Sequence, residues 1–132
     1  MKDIFVISKD GEKQSIIANL ATSIALKQAG LDVVLMFTQE AMVALAAENF
    51  EFRGLLEGYS GVIEKTITEM GFPAEPLKLL EMACSLGIRV ITCPIWARVA
   101  ESKNEIPSGI EIVEMEELFG FISRADKIMG SF

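Results

Sequence analysis

The sequence predicts one α/β domain, a three-layer sandwich of about five mostly parallel strands with helices on both faces. Three observations predict it. Apolar runs rich in β-branched and aromatic residues, IFVI at 4–7 and VVLMF at 33–37, lack the polar alternation of a half-exposed strand. Segments with apolar residues at helical spacing lie between such runs. Nowhere in the 132 residues is there an internal repeat, a low-complexity tract or a linker, so residues 1–132 read as a single domain.

The elements follow in order. After the strand at 4–7, Ile16, Ile17, Leu20, Ala21, Ile24 and Ala25 recur on one helical face, and Gly30 stands where a C′ glycine belongs. The strand at 33–37 closes a β-α-β unit. Residues 39–72 read as helical pieces broken by Gly54, Gly58 and Gly61, with many large apolar residues between them. They suit a plain helical crossover, a subunit interface or a lid. Pro76 then opens a helix whose buried stripe is Leu77, Leu80, Ala83 and Cys84, and Gly87 ends it. Residues 88–93 form the next strand. Residues 109–113 (GIEIV) alternate and belong nearer a sheet edge. A helix over 114–124 and a short final strand at 127–130 complete the chain.

Composition narrows the function. A net charge of −7 leaves no excess of Lys and Arg to displace phosphate counterions, which argues against nucleic acid. No apolar run reaches the length of a membrane span, and the first residues, MKDIFVIS, lack a signal peptide's apolar core. The expectation is a cytoplasmic protein. About half of the residues are apolar, rich for a lone small domain, which suits burial against other chains.

The sequence has no histidine, which removes Ser-His and Cys-His catalysis and histidine metal sites. Its two cysteines, Cys84 and Cys93, form no disulfide framework. One lies near the end of a helix and the other beyond the following strand, so the strand's length separates them past bridging distance. Cys84 reads as a small buried hydrophobe. Cys93 stands where ligands gather in open α/β sheets, at the carboxyl end of a strand. Pro94 suits the first position of a helix, which makes Cys93 the N-cap of IWARVAE. A thiol there faces free backbone N–H groups and the positive end of the helix dipole, which favours its thiolate. Arg98 either adds positive charge or is a solvated surface residue. Trp96 is either a packing residue or a platform for substrate. Cys93 itself reads equally well as a working thiol or as a buried strand-end residue.

Named chemistries can be tested against the strand ends. A phosphoacceptor receiver needs an aspartate where Cys93 stands. A cysteine phosphatase needs C-x5-R, whereas Cys93 and Arg98 are separated by four residues, one of them proline. DGEKQS at 10–15 lacks the spacing of a phosphate loop. Glu114, Glu116 and Glu117 fall at a helix start, where acids are expected anyway. No metal or cofactor is implied. Thiolate chemistry without a general base survives, and sulfur transfer through a cysteine persulfide suits it.

GIRVITC followed by an Ala-Arg helix, then SGIEIVEMEELFGFISRADKIM, resembles the DsrE/DsrF-like family of sulfur-relay proteins. The opening β-α-β, with VLMFTQEA, is similar as well. The resemblance implies a DsrEFH-like sandwich that assembles as a homo-oligomer (dimer, trimer or hexamer). It also implies that Cys93 matches the persulfide-carrying cysteine. Many relatives carry a second cysteine where this chain has Trp96, and a glycine where it has Val99. The expected function is therefore an intracellular sulfur carrier or sulfurtransferase working between donor and acceptor proteins. Cys93 is the nucleophile, and Pro94, Trp96, Arg98, Ser8 and Thr38 line its surroundings. The alternatives are a non-catalytic oligomeric module with a structural cysteine, and a thiol redox protein.

Overall fold

A computed structural model describes residues 4–130. Its elements are β1 (Ile4–Ser8), α1 (Lys13–Gln28), β2 (Val33–Phe37), α2 (Gln39–Ala47), a 3-10 helix (Gly54–Tyr59), α3 (Ser60–Glu69), α4 (Pro76–Ser85), β3 (Arg89–Thr92), α5 (Pro94–Glu101), β4 (Ile110–Ile112), α6 (Met115–Arg124) and β5 (Lys127–Gly130). The five strands form one sheet in the order β4-β3-β2-β1-β5, with every pairing parallel. As the alternation at 109–113 predicts, β4 is an edge strand.

The strand order explains how the layers fill. From β1 to β4 the chain steps across the sheet in one direction, and right-handed crossovers then place every connecting helix on the same face. That face carries the large core, with Ile16, Leu20 and Ile24 of α1, Leu45 of α2, Leu79 of α4 and Ala100 of α5 against Val6, Leu35 and Val90. Only the return from β4 to β5 runs the other way. It lays α6 alone across the second face, where Leu118 and Phe121 cover Phe5, Val34, Met36 and Ile91. One helix does not cover five strands, and Ile128 at the β5 edge of that face stays 52% exposed.

The two helix ends marked by glycine form as the sequence predicts. At α1, Leu31 N–H bonds Leu26 O at 3.2 Å and Gly30 N–H bonds Lys27 O at 3.0 Å; at α4, Ile88 N–H and Gly87 N–H bond Ala83 O and Cys84 O, both at 3.1 Å. Both glycines have positive φ, +94° and +89°, as this double-bonded cap requires.

Several details differ from the sequence reading. On α1 the buried face is Ile16, Ile17, Leu20 and Ile24 with Asn19 and Ser23, while Ala25 is exposed. The face turns that way because Asn19 meets the end of β1. On α4 the buried stripe is Pro76, Leu79, Leu80 and Ala83, leaving Leu77 and Cys84 half-buried. The helix packs on α1 as well as on the sheet, and this rotates its face. In the middle of the chain, α2 follows β2 after a single residue, and the glycines fall later. Gly54 opens the 3-10 helix at φ +67°, Gly58 lies within it, and Gly61 sits in the first turn of α3. Neither the 3-10 helix nor α3 has a buried residue. They are held to the body by Lys13 Nζ on Glu64 Oε2 at 2.9 Å and by two hydrogen bonds between the Gln14 amide and the backbone of Arg53.

Candidate functional site

The carboxyl ends of β1, β2 and β3 lie side by side and lead to Gly11, Thr38 and Cys93. Cys93 is the N-cap of α5, with extended backbone (φ −85°, ψ 160°) and Pro94 as the first helical residue. Its carbonyl accepts from Ala97 N–H at 3.1 Å, which closes the first turn. Its sulfur makes no capping hydrogen bond. The strand pleat turns Cys93 toward the second face of the sheet, into the cluster of Phe5, Val34, Met36, Ile91, Val113, Leu118 and Phe121. It is 7% exposed. The thiol therefore sits at a helix start, as the sequence predicts, but beneath α6 rather than in an open crevice.

The other expected residues divide. Pro94 starts the helix. Trp96 is half-buried and packs against both core clusters, so it ties α5 to the two faces at once. Arg98 is exposed and lies in the last turn of α5. Five residues along a helix is about 140° past a full turn, so it does not share the helical face of Cys93 and stands nearer the helix's negative end. Ser8 is fully buried on the large-core face, and its hydroxyl accepts from Asn19 Nδ2 at 2.8 Å. Thr38 is buried as the N-cap of α2, with its N–H on Ser8 O at 3.0 Å. Ser8 and Thr38 thus pin strand ends together instead of lining an opening. Thr92, the residue before Cys93, points to the large-core face with its hydroxyl buried and without a hydrogen-bond partner among the described residues.

Cys84 lies at the opposite edge of the sheet, where its position on α4 places it. Its Sγ donates to Gly109 O at 3.7 Å, and the two cysteines are free thiols. Burial pushes the Cys84 thiol's pKa up, and the charge of Glu111 adds to the effect. Glu111 itself is bound by Arg89, whose Nε and Nη2 reach its carboxylate at 2.9 and 3.0 Å. That hydrogen bonding lowers the Glu111 pKa and raises that of Arg89, which also reaches Glu117 at 3.3 Å. The Arg89 guanidinium stacks 4.8 Å from the ring of Phe121 and so fastens α6 to the sheet.

A cleft of about 410 Å³ opens beside Trp96 at the carboxyl edge. Gly11, the first turn of α2, Asn49 and Arg53 complete its rim, and Cys93 does not line it. The sequence places Gln39 and Glu40 at a carboxyl strand end without singling them out, and Asn49 and Arg53 were missed. The signal available was the join of β2 to α2 through one residue, which demands a tight turn. Gln39 takes φ +52° there, a left-handed value rare for a residue with a Cβ.

No family model matches the chain, and no curated protein matches it. Among solved structures it is similar to the crystal structure of the ychN protein from E. coli, a protein of DsrE-like fold. The two share 19% sequence identity, with a TM-score of 0.68 over 98% of each chain. That likeness shows the fold, and the α/β sandwich read from the sequence is the one observed.

Proposed function

We propose that this protein is a cytoplasmic sulfur carrier of the sulfurtransferase kind, in which Cys93 holds sulfane sulfur as a persulfide and passes it to a partner thiol. The observation that carries this reading is the place of Cys93, the N-cap between β3 and α5 at the carboxyl edge of a parallel sheet. The unpaired N–H groups of a first helical turn and the helix dipole favour an anion at such a point. The full-length likeness to a protein of DsrE-like fold supports the reading at the level of fold. In the proposed step the Cys93 thiolate attacks the outer sulfur of a donor persulfide, R–S–SH. A new S–S bond forms at Cys93, the donor's S–S bond breaks, and R–S⁻ leaves. An acceptor thiolate then takes the same outer sulfur and releases Cys93 as thiolate. The donor persulfide ends as a thiolate and the acceptor thiol as a persulfide, with no external oxidant or reductant, and no metal or histidine takes part.

The assembly proposed with it is a homo-oligomer, supported by the apolar surface of the middle segment. Leu55 is 91% exposed, and Tyr59, Val62 and Met70 are exposed beside it in sequence. Among the described residues no helix is long and apolar enough to cross a membrane.

A second reading, a non-catalytic module in which Cys93 is structural, is favoured by the burial of Cys93 in an apolar cluster. Intact mass after incubation with a persulfide donor separates the two. The carrier gains one sulfur atom that dithiothreitol removes, and Cys84→Ser gains it while Cys93→Ser does not. A wild-type chain that gains none, or gains it only through Cys84, supports the module.

A further inference from the structure

The cleft beside Trp96 has a lining that persulfide chemistry at Cys93 does not use. Its volume, about 410 Å³, lies within the range of small-molecule sites. One wall is apolar, made by Val43, Ala44 and Ala47 of α2 with the indole of Trp96. The polar residues include one cation, Arg53, and one anion, Glu40. Neither belongs to an ion pair among the described residues. Arg53 is nonetheless anchored at its backbone, since the Gln14 side chain accepts from its N–H at 3.1 Å and donates to its carbonyl at 3.0 Å. The Gly11–Glu40 side of the lining is fixed as well. A Cβ at Gly11 would lie 2.9 Å from Glu40 O, so only glycine lets the loop after β1 close against the first turn of α2. Gln39, beside Glu40, keeps its left-handed backbone at this rim, and strain of that kind collects at functional clefts.

We infer that this cleft binds a small zwitterion of the α-amino acid class with an apolar or aromatic side chain. The carboxylate lies on Arg53, the ammonium on Glu40, and the side chain against Trp96 and the α2 wall. A simple anion would meet Glu40 and a simple cation would meet Arg53, so a ligand carrying both signs matches both groups. Arg is suited to hold a carboxylate through two parallel hydrogen bonds, and an indole face accepts an aliphatic or aromatic side chain. The inference stands apart from the sulfur-carrier reading, because Cys93 is not in the lining.

Trp96 is the only tryptophan in the chain, so its fluorescence reports on this cleft. The full chain is titrated with L-phenylalanine, with 3-phenylpropionate, which lacks the ammonium, and with phenethylamine, which lacks the carboxylate. L-Phenylalanine is expected to give a saturable change with Kd on the order of 0.1–1 mM, as suits a ligand of its size. Each truncated ligand binds about tenfold more weakly or worse, the scale of one charged contact. Arg53→Ala weakens L-phenylalanine by a similar factor and leaves phenethylamine no weaker. Glu40→Gln weakens L-phenylalanine and leaves 3-phenylpropionate no weaker. Equal binding of 3-phenylpropionate and L-phenylalanine to the wild type overturns the inference, as does the absence of saturable change with L-phenylalanine, L-leucine and L-methionine. Those wild-type results decide even where a variant fails to fold.

Discussion

Phe121→Ala tests whether α6 holds the cover over Cys93 on the second face of the sheet. Phe121 is 2% exposed in the middle of the cluster that holds Cys93. It also carries two guanidinium contacts, from Arg89 at 4.8 Å and Arg124 at 5.8 Å from its ring. Truncating a buried phenylalanine costs about 3–5 kcal/mol through lost transfer energy and the cavity left behind. The contacts of the two arginines add at most about 1 kcal/mol, because both are partly solvated. A loss of about 4 kcal/mol is a large part of the stability of a small domain, and at this length it lowers Tm by roughly 14 °C. Urea unfolding followed by circular dichroism measures it, with Phe119→Ala as the control. Phe119 is on the same helix but 59% exposed, so its truncation stays within about 0.5 kcal/mol. Alkylation of Cys93 in the same variant adds a second readout. If the thiol is reached from the native state, as the carrier reading requires, the rate rises far less than the roughly thousand-fold that 4 kcal/mol of easier opening allows. A loss below about 1.5 kcal/mol would refute the idea that this helix holds the cover over Cys93.

Ser8→Ala removes the buried acceptor of Asn19 Nδ2 and is expected to cost about 1–2 kcal/mol in urea unfolding while leaving sulfur loading intact. Gly109→Ala, at φ +99° with Cys84 Sγ only 2.9 Å from the new Cβ, destabilises more than Gly30→Ala, which meets no atom within 4 Å. The Gly30 change carries only the left-handed strain of about 1–2 kcal/mol, so equal losses in thermal melts would contradict the contact. Glu111 has its pKa lowered by Arg89, so the pair stabilises the fold above the ordinary glutamate pKa and loses that contribution as pH falls through the folded value. The cost of Glu111→Gln should therefore be below about 1 kcal/mol at pH 7, given the exposure of the pair, and vanish in acid and in high salt. The Cys84 thiol, raised by burial, should show an alkylation rate that still climbs above the ordinary thiol range. A plateau at neutral pH would count against that environment.

Much of this architecture was legible because its signals are local. IFVI and VVLMF are strands buried on both faces and carry no alternation to mislead. Gly30 and Gly87 mark helix ends by backbone need, and Pro94 marks the start of α5 in the same way. What was not legible depends on packing direction. The position of Cys93 at a helix N-cap follows from the sequence, but which face its sulfur takes follows from the pleat and from α6 covering that face. Arg98 looked close to Cys93 in sequence, yet helix geometry carries it round to the last turn. Ser8 and Thr38 occupy the strand ends as expected, and their side chains are absorbed by Asn19 and by tight packing. The cleft beside Trp96 draws on Gly11, α2 and Arg53, segments that only the folded chain brings together.

The central claim is that Cys93 carries the sulfur. Its most direct test is peptide mapping of the wild-type chain after exposure to a persulfide donor and trapping with iodoacetamide. The account predicts a trapped persulfide on the peptide containing Cys93, lost when acceptor thiol is added before trapping. The extra sulfur found on Cys84 alone, or on neither cysteine, contradicts it.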